Sequence, residues 1–205
     1  MILFRLGAWL PLLHVLLAAA LFWRLPWTTA LGFFSLWLYL ILPLLCRLLL
    51  LGVPLDGEPL DQDNRGFKLW WFSWQLQCIF DRLTFLEEIL RLVPGLYSAW
   101  LHLWGSRCSL STFWAPGSRL YDRGLARTGP GSSIGGFATL CPHMVSPENG
   151  RLVLIVAPIT LEAGAMVGGR SLLAPGVYLE AGAVARAFKA YPPKMRLLAK
   201  ASPDA

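Results

Sequence analysis

Residues 161–184 read LEAGAM, VGGRSL, LAPGVY and LEAGAV, and in this register an aliphatic residue returns every six positions, at Leu161, Val167, Leu173 and Leu179. Small or slim side chains keep the same phase at the fifth position, Ala165, Ser171, Val177 and Ala183. Between them fall the turn pairs Ala163-Gly164, Gly169-Arg170, Pro175-Gly176 and Ala181-Gly182. Glycine there permits positive φ and proline pre-sets a turn. A period of six excludes an α-helix and matches a unit of one short strand and one corner, stacked so that successive coils bury a shared interior. If three units close one coil, residues eighteen apart lie one above the other. Leu161 then sits under Leu179 and Ile155 under Leu173, with strands about 4.8 Å apart. The alternative, a loop rich in Gly, Ala and Val that repeats by accident, sits badly with four consecutive units in phase.

Upstream, the repeat starts imperfectly at Gly105. Trp114, Ala115, Ser118, Leu120 and Gly124 keep the phase, and Ile134, Gly135, Ala138 and Leu140 resume it after a slip of two residues. The spacing predicts the first coils over residues 106–140, with an irregularity near residues 128–132. Residues 141–154 leave the repeat as a loop that returns at Ile155.

The remainder of the 205-residue chain differs in kind: 56% of the whole is hydrophobic, ten residues are Trp, and only 15% are charged, which is not the make-up of an ordinary soluble domain. Residues 6–23 and 28–46 are two apolar runs joined at Arg24-Leu25-Pro26, nearly long enough to cross a ~30 Å hydrocarbon core. They read as a transmembrane helical hairpin over residues 1–52. The second run argues against a secretory signal peptide, for which Ala18, Ala19 and Ala20 would be the small residues near its end. Arg5 and Arg47 bracket the hairpin and Arg24 lies in its turn, which places both ends, and the catalytic domain, on the cytoplasmic side of a multi-pass membrane protein. His14 inside the first run is read as a helix-packing or interhelical hydrogen-bonding residue rather than a functional one.

Residues 53–104 read as a polar linker followed by an interfacial amphipathic helix. The linker's Asp56, Glu58, Asp61 and Asp63 lack calcium-loop spacing and are taken as a solvated loop. In the helix, Phe80, Leu83, Leu86 and Leu90 form an apolar face toward lipid, with Glu87 at its edge. Five charges in eleven residues argue against a third span. Residues 105–193 are the β-helix and 194–205 a C-terminal tail. From Gly105 onward eleven Lys and Arg face five Asp and Glu, a net +6 suited to anionic headgroups or an anionic ligand. Cys46, Cys78, Cys108 and Cys141 have no metal-type spacing and read as reduced.

His143 stands at the base of the excursion, followed by Asn149-Gly150, Pro158-Ile159-Thr160 and consecutive hexapeptides through Pro175-Gly176-Val177. In these residues the chain resembles the hexapeptide-repeat acyltransferases of the maltose, galactoside and xenobiotic acetyltransferase type. The resemblance covers about residues 105–193. It implies a left-handed parallel β-helix, a homotrimer with sites between subunits, and acyl-CoA or an acyl carrier protein as donor. It also implies His143 as general base, a role suited to an imidazole of pKa near 6.5. Gly168, Gly169, Arg170, Arg186 and Lys189 are the candidate donor-binding residues, with Lys194 a further cation and Ala165 and Gly182 leaving room for a thin ligand. Asp122 or Glu148 could orient His143, although each reads first as a solvated turn or loop residue. No metal, no tightly bound cofactor and no nucleic acid are expected; a zinc carbonic anhydrase of this fold would need three histidines in the repeat domain, which holds His143 alone.

Two departures from the family stand out. Glu162 and Glu180 would stack as like charges unless a cation pairs them, and the C-terminus lacks the usual Gly-x-Pro-Ala ending. The expected function is a membrane-anchored acyltransferase acting on a lipid, lipid-linked or hydrophobic acceptor. The alternative is a trimeric membrane-bound scaffold without turnover.

Overall fold

The computed structural model describes residues 7–199, so Arg5 and the tail beyond residue 199 lie outside the described residues. The period of six becomes three parallel sheets around one interior. The first face stacks Arg107–Cys108, Ala126–Thr128, Ile159–Leu161, Tyr178–Leu179 and Arg196–Leu197. The second stacks Phe113–Trp114, Ser133–Ile134, Met166–Val167 and Val184–Ala185; the third stacks Arg119–Leu120, Thr139–Leu140, Leu172–Leu173 and Ala190–Tyr191. In each two-residue strand from coils one to four, the second residue points inward. Leu140, Leu161, Leu173 and Leu179 are essentially fully buried, each contributing about 1.5–3 kcal/mol of transfer free energy. Gly168 shows how tightly the coils stack: a Cβ there would lie 2.3 Å from the backbone nitrogen of Ala187 one coil on.

Leu161 pairs in register with Leu179, as the eighteen-residue coil requires. Leu173 instead pairs with Leu140 below it, because Ile155 belongs to the excursion. That excursion is an ordered antiparallel hairpin, His143–Glu148 with Arg151–Val156, turning at Asn149-Gly150, and Leu60–Asp61 adds a third strand on its outer edge. The phase slip also lies earlier than residues 128–132. Cys108 pairs with Thr128, Trp114 with Ile134 and Leu120 with Leu140, all twenty apart, so both extra residues enter between Leu120 and Thr128, at the turn residues Tyr121 to Gly124. Arg196–Leu197 still pairs with Tyr178–Leu179, so the coil runs past residue 193 into the segment assigned to a tail. The like charges at Glu162 and Glu180 are answered one coil up: Tyr178 donates to Glu162 at 2.9 Å and Arg196 donates to Glu180 at 2.8 Å.

Among the described residues six helices precede the coils: α1 Leu10–Arg24, α2 Trp27–Leu36, α3 Leu42–Leu49, α4 Arg65–Arg82, α5 Phe85–Arg91 and α6 Leu96–Trp104. A turn of wider π-helical winding, Trp37–Ile41, joins α2 to α3. The continuous helix Trp27–Leu49, with 23 residues, is long and apolar enough to cross a membrane; α1, with 15 residues, is shorter. Among the described residues the two expected membrane spans are therefore reduced to one candidate. His14 on α1 accepts a hydrogen bond from the Trp37 indole at 3.0 Å, the interhelical role expected of it.

The amphipathic stretch divides at Leu83-Thr84, and its Phe80 and Leu86 are buried in the same core as the coil interior rather than turned to lipid. Phe85, Ile89 and Leu92 form the outward face instead. Asn64 caps α4 by accepting from the Gly66 N–H at 2.7 Å. Tyr97, Trp100, Leu101 and Trp104 of α6 close the open end of the first coil, so helices and β-helix share one core.

Arg123, in the inserted turn, locks the two halves together. It is fully buried; its Nε donates to Glu87 at 2.6 Å and its Nη2 to Asp81 at 2.8 Å, while its backbone N–H donates to Gln77 at 3.0 Å. Burial pushes the Glu87 carboxyl upward, against the pull of Arg123 and Arg91. Removing the guanidinium strands a buried carboxylate. Arg123→Met should cost about 3–5 kcal/mol, read as a lowered Tm of the detergent-solubilised chain, and adding Glu87→Gln should recover part of the loss.

Candidate active site

The inserted turn and the hairpin meet at the corner between the third and first faces. There His143 Nδ1 donates to Asp122 Oδ2 at 2.6 Å. The other oxygen of Asp122, Oδ1, accepts from the Trp70 indole N–H of α4 at 2.9 Å. Trp70 and Trp74 wall the imidazole, with ring centroids 4.9 and 5.4 Å from it. The His143 side chain retains 14% exposure and that of Asp122 5%. Asp122 is thus a buried orienting group rather than a solvated turn residue. Glu148, at the exposed hairpin tip, instead accepts from the Ser146 hydroxyl.

A carboxylate on Nδ1 fixes the tautomer, leaving the Nε2 lone pair as the basic position. Burial works against the imidazolium, but the Asp122 carboxylate, its hydrogen bond and the more distant Asp81 outweigh it, so His143 titrates above the usual histidine value. Cys141, two residues away, donates its thiol proton to the His143 carbonyl at 3.1 Å. Burial pushes that thiol up to about 11, which leaves it protonated at neutral pH and unsuited to carry an acyl group covalently. The arrangement can take up a proton at Nε2 of His143, and Cys141 beside it stays a thiol.

The candidate donor residues gather elsewhere. Gly168, Gly169, Arg170, Arg186 and Lys189 all fall at the corner between the second and third faces, one sheet-width from His143 in the same chain. Gly168 and Gly169 face neighbouring backbone, so close stacking already accounts for them; a Cβ on Gly169 would lie 3.1 Å from the Gly136 carbonyl oxygen. Arg170 has positive φ and lies 5.3 Å over the exposed Phe137 ring, while Lys189 lies 5.6 Å from Tyr191. Lys194 sits nearer the His143 corner and pairs with Glu58 at 3.3 Å. The cavities of about 350, 230 and 460 Å³ do not have His143 in their linings.

Trp70, Trp74, Asp81 and Arg123 were not singled out from the sequence. The two-residue slip was the signal available, since it marks the turn that carries Asp122 and Arg123.

No family model matches the chain, and no curated protein matches it. Among solved structures it is similar to a hexapeptide-repeat-containing acetyltransferase from Vibrio cholerae, at 17% identity over 58% of this chain and 86% of that one, with a TM-score of 0.36. The Vibrio cholerae O1 biovar eltor structure of that acetyltransferase complexed with acetyl coenzyme A gives 14% identity over 60% and 84%, with a TM-score of 0.35. A maltose O-acetyltransferase from Clostridium difficile 630 gives 10% identity over 70% and 89%, with a TM-score of 0.30.

Proposed function

We propose that the protein is a membrane-associated acyltransferase in which His143 removes a proton from the acceptor as it attacks an acyl thioester. The observation that carries this reading is the His143–Asp122–Trp70 chain at the base of the hairpin. Asp122 sets the tautomer and stabilises the imidazolium that forms; Trp70 holds the carboxylate in place. The acceptor hydroxyl or amine forms a bond to the thioester carbonyl carbon, its proton passes to Nε2, and collapse of the tetrahedral species expels the thiolate, which takes that proton. Acyl-CoA or an acyl carrier protein would supply the thioester, with Arg170, Arg186 and Lys189 available to its phosphates.

Because those cations and His143 occupy different corners, the reading includes the left-handed winding and trimer that the family resemblance implies, with the donor groove completed by a neighbouring subunit. The single helix Trp27–Leu49 would anchor the chain, which suits a lipid or lipid-linked acceptor. The scaffold reading draws on the enclosure of His143 by Trp70 and Trp74, and turnover separates the two.

Thiol release from short- and long-chain acyl-CoA, with a crude lipid extract as acceptor, should depend on the lipid and fall about 10²–10⁴-fold in His143→Ala. Unchanged turnover in that variant would remove His143 as the base.

The base form of His143 is the unprotonated one, so activity should rise with pH through a pKa above the ordinary ~6.5. Removing the Asp122 charge in Asp122→Asn should move that limb to lower pH while lowering the plateau rate by about 10²-fold or more. A limb that stays in place would show that Asp122 does not set the pKa.

A further inference from the structure

Away from the His143 corner, a cavity of about 460 Å³ opens where the end of α3 meets the first coil, and its lining includes three arginines, Arg47, Arg107 and Arg127, with no Asp or Glu. Arg107 and Arg127 are registered partners on adjacent parallel strands, so two guanidinium-bearing residues sit side by side at strand spacing of about 4.8 Å. Like charges in that relation oppose each other. Among the described residues no ion pair relieves any of the three: the hydrogen bond of Arg47 goes to the His102 carbonyl at 3.3 Å, and the nine ion pairs found involve other groups. Burial and the neighbouring Arg107 both pull Arg127 below the usual arginine value, the mark of a cation with no counter-charge beside it.

Other crowded charges on the coil and at its docking with the helices have partners. Glu180 has Arg196, Glu162 has Tyr178, and Arg123 has two carboxylates. The lining also holds Leu50 and Leu51, which follow directly from the helix Trp27–Leu49, and Leu55. Trp104, also in the lining, is 3% exposed, and its indole N–H has no partner among the described residues. A cluster of unpaired arginines sharing a lining with leucines at the end of an apolar helix matches an anionic head on an apolar body.

We propose that this cavity binds a phosphate ester, its phosphate held between Arg47, Arg107 and Arg127. The ester comes either from a membrane lipid or lipid-linked substrate, whose chain would lie on these leucines, or from a soluble phosphate. Arginine forks suit either source, because both present the same oxygens.

The test uses the full chain in neutral detergent with dioctanoyl phosphatidylglycerol, dioctanoyl phosphatidylcholine and inorganic phosphate. Binding is read by tryptophan fluorescence and by the shift in Tm. Phosphatidylglycerol should bind, phosphatidylcholine should bind far more weakly, and added salt should weaken the anionic ligand. The Arg107→Gln/Arg127→Gln pair should weaken phosphatidylglycerol at least ~10-fold, and the Lys/Lys pair should restore part of it. Arg196→Gln, on the same face but outside the cavity, should not. Unliganded Tm values check that each variant folds.

Inorganic phosphate displacing the lipid at comparable concentration assigns the site to a soluble phosphate. Displacement only by lipid assigns it to a membrane source. Equal binding of the two lipids, no binding of any ligand, or wild-type affinity in the Gln/Gln variant overturns the proposal. Binding is read without turnover, so failure of the acyltransferase reading would leave this result standing.

Discussion

Two residues added to one turn hold the molecule together. The insertion supplies two side chains that between them bind two helices and the hairpin. Arg123 reaches Asp81 at the end of α4 and Glu87 of α5; Asp122 reaches His143 of the hairpin and Trp70 of α4. A buried guanidinium held by two carboxylates has little geometric freedom, since each bond lost leaves an ion desolvated and unpaired. That rigidity passes through one peptide bond to Asp122 and from there to the imidazole. Positioning of the candidate base is thus coupled to docking of the helices on the coil.

This coupling explains why α4, α5 and α6 are not a detachable anchor. The coil interior is open at its first turn, and Cys108 and Trp114 would meet water there. Trp100, Leu101 and Trp104 close that end, and the Trp114 indole donates to Ser98 of α6 at 3.0 Å. The tryptophans of α4 then fall over the hairpin base. An aromatic wall so placed excludes water from the His143–Asp122 bond, which strengthens it in the lower local dielectric. The exposed apolar surface lies on α1, with Leu12, Leu13, Leu16 and Phe22, on Trp27–Leu49, and on scattered residues such as Phe85, Ile89 and Leu92.

The coils were legible from the sequence because a period of six, with Gly and Pro in fixed places, is a local pattern that neither a helix nor an ordinary sheet produces. His143 was legible because a break in that pattern points to it. Helix burial was not. The face carrying Phe80 and Leu86 looks the same whether it meets lipid or protein, and only the tertiary partner, the open end of the coil, decides between them. Glu87 was the misread sign: a carboxylate at the edge of an apolar face reads as an intrusion until Arg123, thirty-six residues on, supplies its partner. Asp122 was underrated for the same reason, since a turn Asp is ordinarily solvated and nothing nearby in sequence announces Trp70.

The two crowded charge pairs on the first face complete the argument about what the coil tolerates. Stacking at strand spacing turns any repeated charge into a repulsion, and at the far end the fold resolves it by drawing Arg196 to Glu180 and Tyr178 to Glu162. At the near end Arg107 and Arg127 stack with no such answer. The difference follows position. Glu162 and Glu180 lie on successive coils, and in each case the next coil supplies the partner. The unresolved pair lies where the coil meets the end of the apolar helix, in a lining shared with Arg47, Leu50 and Leu51 and without a carboxylate.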